Sequence, residues 1–207
     1  GIAYDVMFRM SPPAPHTLGS IILAIDETSL KELGGMRKLR GTLAGALNRI
    51  AAERPKAVAV DLVLADASDT AEDDRLEKAF AQTPHLILAS DIVPGASPGS
   101  TQWEDPIEQF RRQAVAVGHV HAAPDPVSRQ LPLEKAVGRD RRWAQALEAY
   151  RATLKDPAIL ETPEALELGH LTIPAARSTA RSLYISYPEL RPDGRTAITQ
   201  ISLKQLH

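Results

Sequence analysis

Cysteine is absent from the 207-residue chain, so thiol nucleophiles, disulfide frameworks and thiolate metal sites are excluded together. That absence fits an oxidising compartment, where stray thiols are a liability, without requiring one. No apolar run approaches the roughly 20 residues that cross a bilayer, and no signal peptide opens the sequence. The chain therefore reads either as a soluble protein or as a soluble piece of a membrane protein. A surface of one sign is missing too. The 24 Lys and Arg are interspersed with 26 Asp and Glu, which leaves no basic face for a nucleic acid. The two short basic runs, Arg37–Arg40 and Arg139–Arg142, read as solvated helix ends. Signatures of catalysis are lacking as well. Gly34-Gly35 and Pro94-Gly95 fit neither phosphate-binding glycine pattern, and there is no G-x-S-x-G nucleophile elbow. No cofactor is expected.

What is present is a βαβ rhythm. Ser20–Ile25 is a continuous apolar run ending at Asp26, the pattern of a strand buried on both faces. A polar connection follows, then a helical pattern from about Gly41 to Arg54 with Leu43, Leu47, Ile50 and Ala51 on one face and Pro55 as its stop. Ala57–Leu64 reads as a second buried strand, expected to lie parallel to the first after a right-handed crossover. Asp69 and Glu72 mark the start of another helix, with Leu76, Ala79 and Phe80 inward, and Leu86–Ala89 is a third strand. Pro94–Pro106 reads as a long surface loop. Beyond it, Val115–Val120 and Ser128–Val137 read as strands joined by an Asp125-Pro126 turn, Trp143–Leu154 as a helix, and the tail as short strands with a turn at Pro192-Asp193-Gly194. The fold expected is a single α/β domain: a mostly parallel central sheet with flanking helices and an irregular second half of antiparallel strands.

Two acids stand where acids are unexpected. Asp26 ends the first buried strand and Asp61 interrupts the second. Open α/β sheets bind ligands outside the carboxyl ends of their strands, so neighbouring strands could present both acids to one crevice. Glu27, Asp66, Asp69, Asp73 and Asp74 follow the same strand ends and make an acidic rim that suits a metal, a cationic ligand or a partner's arginine. Equally, a buried carboxylate needs a partner, and Arg40 at the start of the crossover helix could bridge Asp26 and Asp61 as a structural cluster. Asp69 and Asp73 read as helix caps. His119 and His121 share a strand face at alternate positions, a spacing that zinc could use, but without a third ligand they read as strand-surface residues near a loop. Ile25-Asp26-Glu27-Thr28 is similar to the nucleophile strand of the haloacid dehalogenase phosphatases, yet Thr28 replaces the second aspartate that chemistry needs.

Taken in order, several motifs resemble the CHASE sensory domains of the second type, the extracytoplasmic input modules of bacterial receptors. Ile22–Leu30 resembles that family's opening strand, and Pro55–Leu64 its second strand with the embedded aspartate. Asp74–Phe80 resembles its D-x-x-L-x-x-A helix, Asp125–Leu133 its D-G-x-x-R-x-x-P-L hairpin with Arg129 as the arginine, and Tyr4–Arg9 the stretch after its first membrane helix. The chain departs from the family at Gly35–Leu39, where relatives carry a tryptophan-rich segment before the position of Arg40. Relatives also continue beyond Ile201–Leu206 into a further strand, so a truncated piece is expected, with a sheet edge that leans on a partner.

The resemblance implies a periplasmic or extracellular domain of an inner-membrane receptor. It would sense a small-molecule or protein signal and drive a cytoplasmic cyclase, histidine kinase (as in two-component systems), diguanylate cyclase or Ser/Thr kinase on the same chain, with a homodimer open to it and without nucleic acid. The polar cluster to watch, ligand-binding or structural, is Asp26, Glu27, Arg40, Asp61, Asp74 and Arg129. Two alternatives stay open: a metal-dependent hydrolase using Asp26 and Asp61, and an assembly domain whose edge strands dimerise.

Overall fold

The opening apolar run folds as strand β1 (Ile21–Ala24), and its partner is the far end of the chain rather than the next strand. A computed structural model describes residues 19–122, 130–155, 157–185 and 198–206. In it β1 ends at Asp26, the N-cap of a short helix α1 (Glu27–Glu32) that the sequence reading took for a polar connection. Helix α2 (Leu39–Ala52) follows, then β2 (Val58–Val60), α3 (Thr70–Gln82) and the long strand β3 (Leu86–Pro94). Asp69 caps α3 as expected, its carboxylate accepting from the amides of Ala71 and Glu72.

β2 and β3 run parallel, and β5 (Ala116–His119) pairs parallel on β3. The central sheet is thus mostly parallel and carries helices, in agreement with the α/β expectation. β1 does not join it, which corrects the expected pairing with β2. Its hydrogen bonds go to β13 (Thr199–Ser202), in register Ile21 with Thr199. A contact of 2.9 Å between the hydroxyls of Ser29 and Ser202 pins that pair. Ile21 and Ile22 remain exposed, so the apolar run is not buried on both faces.

The expected Pro94–Pro106 loop also needs correcting. β4 (Thr101–Glu104) returns antiparallel along the last residues of β3, Trp103 opposite Ile92, around a turn closed by Gly95 and Ser100. After β4 comes the single-turn helix α4 (Glu108–Arg111).

In the second half the pairings are antiparallel. The run expected as one strand divides at Leu133 into β6 (Gln130–Pro132) and β7 (Glu134–Val137). β7 pairs with β8 (Asp140–Trp143) in a hairpin, so Arg139–Arg142 lies on strands and a turn rather than at a helix end. Helix α5 (Gln145–Thr153) follows, then a small sheet of β9 (Ile159–Glu161), β10 (Leu166–Leu168) and β11 (Leu171–Ile173). β12 (Ser182–Tyr184) pairs with β6. The expected turns at Asp125-Pro126 and Pro192-Asp193-Gly194 lie outside the described residues.

Two apolar clusters hold this together. The first joins Leu43, Ala44 and Leu47 of α2, Leu76, Ala79 and Phe80 of α3, and Val60, Leu86 and Leu88 of the sheet. Phe110 completes it edge-on to Phe80, with ring centroids 5.4 Å apart, a geometry that adds about 0.5–1.5 kcal/mol to the burial itself. Ile87 and Ala89 are as buried as Leu86 and Leu88 but alternate to the opposite sheet face, where α5 lies. The second cluster gathers Leu133, Ala144, Leu147, Leu166, Leu168, Ile173 and Ala175. The two meet where β5 abuts α5. A Cβ on Gly118 would fall 2.4 Å from the Cα of Gln145, so only glycine allows that approach.

Candidate functional site

The acidic rim is real as a set of strand ends, but its members do not converge. Asp26 accepts the amide of Ser29 at 2.7 Å, and that bond, helped by the hydroxyls of Ser202 and Ser29, holds its carboxyl below the usual range. Glu27 is open to solvent and meets Lys31 at 3.9 Å. Asp61 follows β2 and is exposed, without a hydrogen-bonded partner among the described residues. Asp26 and Asp61 therefore follow strands of different sheets, and not the neighbouring parallel strands expected of them. Among the described residues no group of three or more His, Asp and Glu is arranged to hold a metal ion.

Arg40 turns elsewhere. Its guanidinium pairs with Asp73 and with the backbone carbonyl of Asp66, and stacks over Phe110 at 5.4 Å. Asp73, expected as a cap, instead takes Arg40 on one oxygen and the amide of Ser68 on the other at 2.8 Å. Asp74 is exposed and receives Gln109 at 3.2 Å. Arg129 lies outside the described residues. Beside the Arg40 pair sits Glu72, expected only as the acid of a helix start. Glu72 lies between Lys38 and Arg75, at 3.9 and 3.8 Å, with Oε2 closed off and unbonded. Gly41 makes room for that carboxylate, since a Cβ there would stand 2.1 Å from it.

A second constellation lies at the carboxyl ends of β3 and β5, where parallel sheets present their ligand-contacting residues. Ser90 of β3 faces His119 of β5 in register, and both are buried. His119 is 2% exposed, which overturns its reading as a strand-surface residue. The reason is packing that local sequence does not encode: Trp103 of β4 lies beside the ring, and the backbone of Ala144, at the start of α5, pairs with that of His119. Burial first, then the positive charge of Lys135 and the neighbouring His121, push its pKa down to about 4. His121 is half-buried and contacts Asp91 at 2.8 Å. Gln145 donates to the carbonyl of Val60 at 2.8 Å and so closes the end of β2.

Fold and site together define an α/β domain with an antiparallel second half, its strand-end groups engaged in caps, ion pairs and one closed-in imidazole. Residues 2–207 match the model of the CHASE2 domain, and the chain belongs to that family. CHASE2 domains are extracytoplasmic, non-catalytic sensory domains, so this is a sensing domain. No curated protein and no solved structure matches the chain. No helix among the described residues is long and apolar enough to cross a membrane.

Proposed function

We propose that the chain is the periplasmic or extracellular input domain of a bacterial inner-membrane receptor. It would pass a signal to a cytoplasmic output enzyme of the same protein: a nucleotide cyclase, a histidine kinase, a diguanylate cyclase or a Ser/Thr kinase. The observation that carries this reading is the family match over residues 2–207. The fold supports it physically. A sensor needs two arrangements of comparable free energy and a signal that prefers one. Two separate apolar clusters meeting at one close backbone contact supply a place for such a rearrangement.

The signal, a small molecule or a protein, would act at the polar groups of the strand ends. Asp61 and Asp74, with Glu27, Asp66 and Asp69, are exposed acids of that rim, while Asp26 and Arg40 hold the backbone behind it. Pairing of two copies would let a change in one domain reach the membrane as a change in spacing. The test is the native reading frame on both sides of this segment, together with alkaline phosphatase fused after His207. Apolar spans flanking the domain, a kinase or cyclase downstream and an active fusion are the expected result. A frame without spans and an inactive fusion would overturn the receptor reading.

A further inference from the structure

We propose that His119 makes this domain respond to acid: protonation of its buried ring loosens the junction between β5 and α5 on which both halves of the domain rest. The inference deepens the sensing role proposed above by naming its signal, the proton, and rests on that role for its biological meaning.

The geometry begins with an unmet need. Nδ1 and Nε2 of His119 are both closed off from solvent, and neither has a hydrogen-bond partner among the described residues. A neutral imidazole carries one N–H donor and one acceptor, whereas the imidazolium carries two donors and a charge. Burial of the neutral ring is tolerable. Burial of the charged ring without acceptors is far more costly.

Each element around the ring leaves that cost standing. From β3, Asp91 favours a positive charge, but it already holds His121 at 2.8 Å. From β7, Lys135 opposes the charge, and His121 opposes it when protonated. From β4, Trp103 lies 6.4 Å away between ring centroids, tilted by 31°. Arg142 of β8 stacks on the far member of that pair, 4.4 Å over Trp103, and is itself held by Asp105 and Asp140. From α5, Gln145 has given its amide to Val60, and Glu148 pairs with Arg151 at 2.7 Å. Among the described residues no acceptor bonds either ring nitrogen, so the charged form gains its partners by parting β5 from α5 to admit water.

There is no slack in that contact, because Gly118 meets the backbone of Gln145 directly. The sign follows from burial. The folded pKa lies near 4, below the ordinary 6.5, so the closed junction has its full stability above about pH 6.5. That stability is lost as pH falls from there towards 4. A domain facing the outside medium would meet acid in this window.

The test uses the 207-residue chain with Trp143→Phe, so that Trp103 alone reports, titrated from pH 8 to 3.5. Histidine-ring NMR is expected to show His119 titrating well below the ordinary 6.5. Trp103 fluorescence should fall with the same midpoint, and amides of β5 and α5 should lose exchange protection together. His119→Phe should abolish this step and move the acid midpoint down by about one pH unit, while His121→Gln leaves it in place. An ordinary titration of His119, or an unchanged acid step in His119→Phe, would overturn the switch. If His119→Phe does not fold, the NMR titration of the otherwise intact ring decides alone. The sensing role is read separately, as enzyme output of the intact receptor against external pH. A step in the isolated chain with flat output overturns the proton as signal, whereas an absent step overturns the switch and leaves the sensing role standing.

Discussion

Arg40 and Asp73 form an ion pair that ties the start of α2 to the first turns of α3, with only 13% and 5% of their side chains exposed. It is the closed part of the rim, in contrast to Asp61, which faces solvent. Removing one partner of such a buried pair leaves the other charge uncompensated. Arg40→Ala is therefore expected to cost about 3–5 kcal/mol in urea unfolding. Asp61→Asn should change stability by no more than about 0.5 kcal/mol. Equal losses from both substitutions would mean that the rim is one coupled cluster and not a pair beside an open acid.

Gly118 and Gly45 make opposite predictions under the same substitution. The neighbours of Gly118 are backbone atoms of Gln145, which cannot swing aside, so Gly118→Ala should destabilise by about 1–3 kcal/mol. Gly45 lies inside α2 with open space around it, so Gly45→Ala should stabilise by about 1 kcal/mol. Melting temperatures moving in opposite directions would confirm both assignments.

Arg181 is fully buried, a position from which arginine is usually excluded. It donates to the carbonyls of Ala175 at 2.7 Å and Ala165 at 3.0 Å, and reaches Glu161 at 3.3 Å. Arg181→Met would leave the carbonyl of Ala175 without that donor and Glu161 without one of its guanidinium groups, for an expected loss of about 3–5 kcal/mol. Arg181→Lys should recover only part of it, because an ammonium lacks the planar fork. Complete rescue by lysine, seen in chemical denaturation, would refute the shape argument.

Glu161 collects three guanidinium groups. Arg141 grips it with bonds of 2.6 and 2.9 Å, and Arg177 and Arg181 approach at 3.3 Å. The Arg141 hydrogen bonds, more than any other cause, hold its carboxyl below the ordinary 4.5. The folded pKa is lowered, so this stabilisation is present above about pH 4.5 and lost as pH falls through the folded value. Glu161→Gln should flatten the acid limb of stability below pH 4.5 and leave the limb between 6.5 and 4.5 unchanged. A urea-midpoint profile against pH separates the two.

Much of the first half was legible because its signals are local. The apolar face of Leu43 and Leu47, the cap at Asp69 and the runs at β2 and β3 each lie within one turn or strand. Partners were not legible. Nothing near Ile21 encodes that Thr199 lies beside it. The Ser-Gly-Pro segment hid β4, because the turn composition outweighed the single apolar Trp103. At the candidate site, Arg40 is expected to bridge Asp26 and Asp61, whereas it pairs with Asp73 and Asp26 caps α1. His119 looked like an ordinary strand residue because its burial is made by β4 and α5 together. Arg181 carried no signal at all: its φ of +53° and its buried carbonyl acceptors exist only after the small sheet has formed.

The pairing of β1 with β13 has a mechanical consequence. The two strands run in the same direction, so a pull on Ile21 from its N-terminal side and on Ser202 from its C-terminal side draws them along their length in opposite senses. Such a load falls on every rung of the ladder at once, as shear, and does not peel the rungs apart one after another. The described chain is thus fastened at its two extremities by a latch that resists tension while leaving the domain behind it free to rearrange.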